Sequence, residues 1–360
     1  MIQHRFDFKY RYVTTFDPKS GEYFRSNVFD KDGSDTGKEP FMGDFPHLLD
    51  IGIKGFCEHG LSGKCMEAGT YCYQLGAEVS SKDMSLEDYT HIIKQCENKT
   101  FQVALGGRGD PDCHPDYEAI LKVTRNHNIV PNITTSGFLF TKEKARITKQ
   151  YCGAAAVSWY KTPYTYKAID YLLEAGVVTN IHFILHEKSI EEAIDLMQRN
   201  AFPQGIRAVI FLLYKPVGYN RTDLVLKKDN PYLKQFFELM NADNQTFMMG
   251  FDSCLVPGVV NYCKDVAPQC IEPCESGRFS AYISPDNKMY PCSFIQSPQY
   301  ECDLKHLSIQ QVWNSSVFET FRTPQRIACQ ACSKRELCLG GCPELNIINL
   351  CQDKKEGIRE

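Results

Sequence analysis

The sequence lacks any apolar segment long enough to cross a membrane. Its longest uninterrupted apolar runs, such as Val209 to Tyr214, are far shorter than the roughly 20 residues that a membrane-spanning helix needs. Residues 1–7 also lack the apolar centre of a signal peptide. We therefore expect a soluble protein that stays in the cytoplasm and has no membrane partner.

Neither charge nor repetition dominates the sequence. The 40 Lys and Arg residues and 44 Asp and Glu residues give a formal net charge of −4. This balance argues against a general nucleic-acid-binding protein, although a local basic groove would not show in the sum. We find no internal repeat and no low-complexity segment. With 360 residues, 43% of them hydrophobic, the chain can form two to three domains with apolar cores.

Cysteine is the residue type that is unusually frequent. The chain has 17 cysteines, an odd number, and eleven of them lie between Cys254 and Cys351. This content is below that of a small disulfide-rich protein. In a reducing compartment, clustered thiols bind metal more often than they form disulfides. The distribution therefore predicts metal sites, with most of the ligands in the C-terminal third.

Short apolar runs alternate with amphipathic segments between residues 50 and 213, as they do in repeated βα units. The predicted strands are 51–56, 101–105, 129–134, 154–159, 178–185 and 207–213. The predicted helices are 86–96, 117–126, 142–150, 164–174 and 190–200. This alternation indicates an α/β fold with a parallel sheet, either an open doubly wound sheet or a partial barrel.

Four parts of the chain are expected. They are an N-terminal extension (1–48), the α/β part (49–220), a connecting segment (221–252) and a cysteine-rich domain (253–360). The extension either packs on the barrel or forms a partly ordered arm. In the last part, apolar segments 279–284 and 289–293 flank Pro285 to Lys288. These residues predict a hairpin, because Asn287 tolerates a positive φ.

A glycine-containing loop after the first predicted strand carries Cys57, Cys65 and Cys72. Three thiolates there can hold three irons of a [4Fe–4S] cluster and leave the fourth iron free to bind a ligand. A zinc site with His59 as the fourth ligand is the alternative. Polar or glycine residues end the second, third, fourth and sixth predicted strands, at the edge where parallel α/β folds bind ligands.

The order and spacing of these strand ends resemble the radical S-adenosylmethionine (SAM) enzymes over residues 50–220. Cys72, with its aromatic neighbours, is similar to the last cysteine of the family's C-x3-C-x2-C motif. Gly106-Gly107 is similar to the start of the family's Gly-Gly-Glu-Pro segment. The resemblance implies a partial (β/α)6 TIM-like barrel. It also implies a SAM site that includes Tyr71, Gly106, Gly107, Ser136 and Ser158. The chain departs from the family in its C-x7-C-x6-C spacing, and Arg108-Gly109-Asp110-Pro111 replaces the Glu-Pro end of that segment.

The C-terminal cysteines have a more specific spacing. Cys274-x12-Asn287-x4-Cys292, then Cys329-x2-Cys332-x5-Cys338-x3-Cys342 and Cys351, resemble the SPASM domain of radical SAM peptide and protein maturases. The resemblance implies two auxiliary [4Fe–4S] clusters, the first on Cys274, Cys292 and Cys342, the second on Cys329, Cys332, Cys338 and Cys351. For a fourth ligand of the first cluster, Cys254, Cys263 and Cys270 all qualify. Cys254 is favoured, because strand-like residues 247–251 would fix its position. Two structural zinc sites are the alternative.

Together the two resemblances imply an enzyme with three [4Fe–4S] clusters and SAM. Such an enzyme would form a 5′-deoxyadenosyl radical and modify a peptide or protein side chain, with an electron donor such as a flavodoxin or ferredoxin. Residues 1–48 are too short for a leader-binding winged-helix domain, so we expect that a separate protein delivers the substrate or that the substrate is small. In sulfatase maturases an aspartate follows the last cysteine of the first SPASM motif, and Ser293 at that position counts against that activity.

Two other functions fit parts of the pattern. One is a radical SAM dehydrogenase that acts on a small molecule, and the other is a non-catalytic, zinc-binding interaction protein. The sequence assigns no catalytic residue.

Overall fold

The N-terminal residues form a small antiparallel sheet. The computed structural model of the protein describes residues 1–240, 245–263, 266–322, 329 and 332–351. The first three strands are β1 (Gln3–Asp7), β2 (Tyr12–Phe16) and β3 (Tyr23–Arg25), with β2 in the centre. Alternate residues of β2 are buried, which is typical of a sheet that packs one face against the rest of the protein.

Seven parallel strands make up the larger part of the main sheet. They are β4 (Leu48–Gly52), β5 (Gln102–Gly106), β6 (Val130–Thr135), β7 (Ala155–Ser158), β8 (Thr179–Leu185), β9 (Ala208–Leu213) and β10 (Met248–Phe251). Each strand from β5 to β10 pairs with the one that precedes it in the chain. A doubly wound sheet reverses its strand order, whereas this sheet does not, so its topology is that of a barrel.

Three strands from the cysteine-rich part extend this sheet beyond β4. They are β11 (Ser280–Ile283), β12 (Lys288–Tyr290) and β13 (Cys302–Asp303). Strand β11 runs parallel to β4, and β12 and β13 follow in antiparallel order. In the turn between β11 and β12, Asn287 has a φ of 62°, as predicted. The ten-stranded sheet has β10 and β13 at its edges in the described residues, so the barrel is partial.

Helices follow the parallel strands and produce six βα units. Two one-turn helices, α1 (Glu58–Leu61) and α2 (Lys64–Glu67), come directly after β4. The longer helices are α3 (Leu86–Cys96), α4 (Tyr117–Asn126), α5 (Lys142–Tyr151), α6 (Pro163–Glu174), α7 (Ile190–Gln198) and α8 (Leu233–Leu239). Ser85, Thr141 and Thr162 accept backbone N–H groups at the starts of α3, α5 and α6, which stabilises these helix ends.

The remaining helices belong to the cysteine-rich part. They are α9 (Val256–Tyr262), α10 (Ile309–Trp313), α11 (Ser316–Arg322) and α12 (Arg335–Cys338). Trp313 is fully buried, and its indole N–H donates to the Gly43 carbonyl over 2.9 Å. Helix α10 therefore packs on the segment that leads from the N-terminal sheet into β4.

The N-terminal sheet lies against the N-terminal ends of the barrel strands. Phe16 of β2 forms a buried cluster with Phe101 and Val130, which stand at the starts of β5 and β6. The centroids of the Phe16 and Phe101 rings are 5.5 Å apart. This placement leaves the opposite end of the barrel, where the strands terminate, for a functional site.

Most predicted elements are present, and the α/β fold with a partial barrel is confirmed. The predicted helices 86–96 and 117–126 agree with α3 and α4 at both ends. The first strand was placed three residues too late. The backbone leaves the sheet after Gly52 because the Gly55 N–H and the Lys54 ammonium both bind Asp83. None of the helices in the described ranges has the length and apolar content to cross a membrane.

Candidate functional site

A cavity of about 410 Å³ opens at the C-terminal ends of the barrel strands. This volume is in the range of small-molecule sites. The first cysteine group and every residue that the sequence placed in a SAM site line this cavity: Cys57, Cys65, Cys72, Tyr71, Gly106, Gly107, Ser136 and Ser158. The structure thus brings together residues that are up to 101 positions apart in the chain, from Cys57 to Ser158.

The three thiols of the cavity come from short helical turns and the loop that follows them. Cys57 caps α1 and accepts the Gly60 N–H over 3.1 Å. Cys65 lies in α2, and Cys72 accepts the Gln74 N–H over 3.4 Å. Backbone N–H groups that point at sulfur are a recurring feature of iron–sulfur sites, where they tune the reduction potential.

These thiols also share one electrostatic environment. Burial raises the pKa of Cys57 to about 12, and Asp110 and the other two thiols contribute to this increase. The pKa of Cys65 is raised by burial and by Cys72. A bound cation reverses this effect, because metal coordination deprotonates a thiol outright. The donor set is therefore suited to a cationic centre with an affinity for sulfur, such as an iron–sulfur cluster.

Arg108 and Asp110, in the segment that departs from the radical SAM Gly-Gly-Glu-Pro pattern, make different contacts. Arg108 binds the carbonyls of Gly55 and Gln74 over 3.1 and 3.4 Å, so its side chain fastens the cysteine loop. The carboxylate of Asp110 faces the cavity and accepts both the N–H and the hydroxyl of Ser136, over 2.7 and 2.5 Å. Burial raises the pKa of Asp110, and the charge of Asp112 raises it further.

A second group of thiols lies where the barrel meets the cysteine-rich part. Cys274 and Cys342 lie close enough to Cys254 to raise its pKa. Burial raises the pKa of Cys292 to about 12, and Cys274 and Cys342 contribute to this increase. Cys254 follows β10, and Cys292 follows β12. The continuous sheet thus supports both Cys254 and Cys292.

A lysine lies next to both this second group and the cavity. Lys215 follows β9, lines the cavity and forms an ion pair with Asp252. Burial alone would lower the pKa of Lys215, but Asp252 and the thiols of Cys254 and Cys292 outweigh burial and raise it. The ammonium also lies 4.4 Å from the centroid of the Phe294 ring. A fixed positive charge therefore lies beside both the cavity and the second group.

The third group contains the remaining predicted ligands. The pKa of Cys338 is raised by burial and then by Cys329, Cys351 and Cys332. The Gly340 N–H donates to the sulfur of Cys338 over 3.3 Å. By contrast, Cys263 and Cys270 line a different cavity of about 600 Å³ beside β10.

In the described part of the chain, no three His, Cys, Asp or Glu side chains lie where they could hold one metal ion. The cysteines of a [4Fe–4S] cluster bind different irons, so they stand farther apart than the ligands of a single ion. His59, the fourth ligand in the zinc alternative, has other contacts. Its Nε2 lies 2.7 Å from the Tyr164 hydroxyl, and its ring packs against Phe138 and Tyr160.

Two residues that line the cavity, Asp50 and His182, were not expected there from the sequence. Asp50 had a detectable signal, because it is a single acidic residue within the apolar run from Leu48 to Ile53. His182 became recognisable only when the sheet placed β8 beside the other strands. Asp110, Tyr160 and Lys215 follow predicted strands and line the cavity as well.

The fold and the three thiol groups define an α/β partial barrel joined to a cysteine-rich, iron–sulfur type domain. Residues 274–334 match the family model of SPASM, described as an iron-sulfur cluster-binding domain. This match confirms the resemblance to SPASM over these residues and the expectation that the domain binds iron–sulfur clusters. No curated protein matches the chain.

The fold is similar to that of solved radical SAM peptide maturases that carry SPASM domains. Streptococcus suis SuiB bound to S-adenosylmethionine superposes with a TM-score of 0.68 at 15% identity, over 95% of this chain and 94% of that chain. SuiB bound to its precursor peptide SuiA gives 0.67 at 16% identity, over 98% of both chains. Native anSMEcpe with bound AdoMet gives 0.61 at 16% identity, over 85% of this chain and 92% of that chain.

Proposed function

We propose that the protein is a radical SAM enzyme that modifies a side chain of a peptide or protein. The observation that carries this proposal is the single cavity that contains Cys57, Cys65 and Cys72 together with the predicted SAM-binding residues. The SPASM match and the likeness to two peptide-binding maturases support it. When bound, a [4Fe–4S] cluster and SAM supply the radical that removes a hydrogen atom from a substrate C–H bond.

In this proposal the protein holds and shields the reacting groups. Cys57, Cys65 and Cys72 bind the first cluster and leave one iron for SAM. The strand ends at Gly106, Gly107 and Ser136 face the same space, so they orient SAM against the cluster. The aromatic side chains of Tyr71, Trp159 and Tyr160 line the cavity and exclude water from it.

The two other thiol groups hold auxiliary clusters. Cys254, Cys274, Cys292 and Cys342 bind the one nearer to the cavity, and Cys329, Cys332, Cys338 and Cys351 bind the other. Lys215 lines the cavity and interacts with Cys254 and Cys292 of the nearer group. An auxiliary cluster in this position can accept the electron that an oxidised substrate gives up.

Reconstitution of the full chain with iron and sulfide under anaerobic conditions tests the proposal. We expect about twelve irons and as much sulfide per chain, and 5′-deoxyadenosine after addition of SAM and a reductant. The triple variant Cys57→Ala, Cys65→Ala, Cys72→Ala should keep about eight irons and form no 5′-deoxyadenosine.

Cys270→Ala is the matched control, because Cys270 is exposed and lies in the other cavity. It should retain both the iron content and the activity. Bound zinc without acid-labile sulfide in the wild-type protein would refute the proposal. Conversion of a small molecule, but of no peptide, would support the radical SAM reaction and refute the peptide or protein substrate.

A further inference from the structure

Asp50 is a half-buried acidic residue on the inner face of the barrel. Side chains of a strand alternate between the two faces of the sheet, so Leu48, Asp50 and Gly52 of β4 share a face, and Leu49 and Ile51 share the other. Leu49 and Ile51 are fully buried in the main hydrophobic core. Asp50 lines the cavity that contains Cys57, Cys65 and Cys72.

Three separate segments meet at the Asp50 carboxylate. Ser293, directly after Cys292, lines the same cavity and lies close enough to lower the pKa of Asp50. Tyr282 of β11 is its neighbour across the sheet, and Tyr73 of the cysteine loop lies close enough for the charge of Asp50 to raise its pKa. Asp50 therefore stands between the first thiol group and the residues that lead to the second.

In the ranges that the structure describes, no salt bridge involves Asp50, and the groups that face it are two phenols and one hydroxyl. An unpaired carboxylate in a half-buried position costs free energy. Burial raises the pKa of Asp50 to about 7, although Ser293 acts in the opposite direction. A half-buried acid that titrates near neutral pH and faces a cavity is typical of a functional site.

We infer that Asp50 is the proton acceptor for the substrate side chain that is oxidised in this cavity. The inference rests on the proposed function. A two-electron oxidation of the substrate removes one hydrogen atom, one electron and one proton. The hydrogen atom leaves a C–H bond, and the bound cofactors would take up this atom and the electron. The proton leaves an O–H, S–H or N–H group and passes to the Asp50 carboxylate, while the heteroatom of that group forms the new bond to the carbon. The substrate then has lost two hydrogens in total and has no net change of charge.

The variant Asp50→Asn, which keeps the size of the side chain and removes its basicity, tests this role. The reconstituted protein is incubated with SAM, dithionite and a pool of synthetic decapeptides in which each of the standard residues occupies the central position. We expect Asp50→Asn to keep its iron content and to form 5′-deoxyadenosine, while the modified peptide per 5′-deoxyadenosine falls about 100-fold. Asp50→Glu should restore part of the yield.

The dependence on pH separates a proton acceptor from a merely structural residue. The base must be ionised, so the peptide yield of the wild-type protein should rise as the pH passes through about 7, the pKa that burial gives Asp50. The yield of Asp50→Asn should show no such rise. Glu301→Gln is the matched control, because Glu301 binds Tyr290 outside the cavity, and its pH profile should match that of the wild-type protein.

A measurement without substrate keeps the inference testable if no peptide in the pool reacts. The carbonyl stretch of protonated Asp50, read as the infrared difference between wild-type protein and Asp50→Asn, should titrate between pH 6 and 8. A midpoint below 5 or above 9, or full peptide yield in Asp50→Asn, would overturn the role of Asp50. A wild-type protein that forms no 5′-deoxyadenosine would instead overturn the proposed function and this role with it.

Discussion

Two titratable side chains, Lys215 and His47, are buried in this protein, where burial alone favours their neutral forms. Lys215 is 5% exposed and is stabilised in its charged form by Asp252. His47 is 8% exposed and remains neutral between the hydroxyls of Tyr12 and Tyr23. Loss of the Lys215 charge and gain of a charge on His47 should therefore both destabilise the protein.

Loss of the Lys215 ammonium should destabilise the protein. Lys215→Met leaves Asp252 charged and unpaired in a partly buried position, and we expect the free energy of unfolding to fall by about 3–5 kcal/mol. The double variant Lys215→Met, Asp252→Leu removes both charges and should recover most of this loss. Anaerobic urea unfolding, followed by circular dichroism, measures both effects. A loss below about 1 kcal/mol in Lys215→Met would show that the ion pair is screened by solvent.

Acid should destabilise the protein through His47. Burial, together with Arg25 and Arg5, lowers the pKa of His47 to about 3 in the folded protein, against about 6.5 in the unfolded chain. Below about pH 6.5, His47 is protonated in the unfolded chain but not in the folded protein, so the free energy of unfolding falls as the pH drops. From pH 7.5 to 5.5 this group should reduce the free energy of unfolding by about 1 kcal/mol.

The contribution of His47 is isolated by comparison with His47→Phe. Urea unfolding at pH 7.5, 6.5 and 5.5 should show a smaller loss of stability in the variant than in the wild-type protein. Equal slopes in the two proteins would mean that other groups cause the acid sensitivity.

At the scale of the elements, the close approach of two loops shapes the first thiol group. The chain after β9 reaches the cysteine loop at Gly218, where φ is +76° and an added Cβ would lie 2.6 Å from the Cys72 carbonyl oxygen. Only glycine combines this backbone conformation with this contact. The end of the sixth βα strand thus fixes the position of the third thiol.

Gly218→Ala should displace the loop that carries Cys72. We expect a lower content of the first cluster and at least a tenfold loss of 5′-deoxyadenosine formation. Gly176→Ala is a matched control, because Gly176 also has a positive φ, +72°, but a Cβ there meets only the Lys149 side chain, at 3.7 Å or more. Both variants carry the strain of a left-handed alanine, about 1 kcal/mol. Equal iron content and activity in the two variants would exclude an effect of the Cys72 contact.

At the scale of the whole molecule, one sheet joins the barrel to the SPASM region. Residues Leu48 to Ile51 pair with Ser280 to Ile283, so the first barrel strand lies between its own neighbour β5 and a strand from the cysteine-rich part. Removal of the cysteine-rich part would expose the edge of a central strand. We therefore expect the two parts to unfold together.

The two tryptophans of the chain report on the two parts separately. Trp159 follows β7 in the barrel, and Trp313 lies in α10. In the single-tryptophan variants Trp313→Phe and Trp159→Phe, the fluorescence midpoint in guanidinium should coincide with the circular dichroism midpoint of the same variant. Separate midpoints within either variant would show that the barrel and the SPASM region unfold independently.

The sequence by itself determined the elements of the barrel and the iron–sulfur character of the C-terminal third. Helix boundaries such as those of α3 and α4 followed from local patterns, because an N-cap and an apolar periodicity act over a few residues. The spacing of the SPASM-type cysteines is likewise a pattern of the sequence itself. The three strands of the N-terminal sheet were not predicted, because their short segments carry no clear periodicity.

The tertiary structure decided which side chains meet. Strand order put β11 beside β4, and this pairing brought Ser293 to Asp50 from a distance of 243 positions in the chain. It also placed Cys254 with Cys274 and Cys342 while Cys263 and Cys270 went to another cavity. Sequence spacing limits such contacts only over short distances. Over longer ones, the hydrogen-bonded register of the sheet selects the neighbours of each side chain.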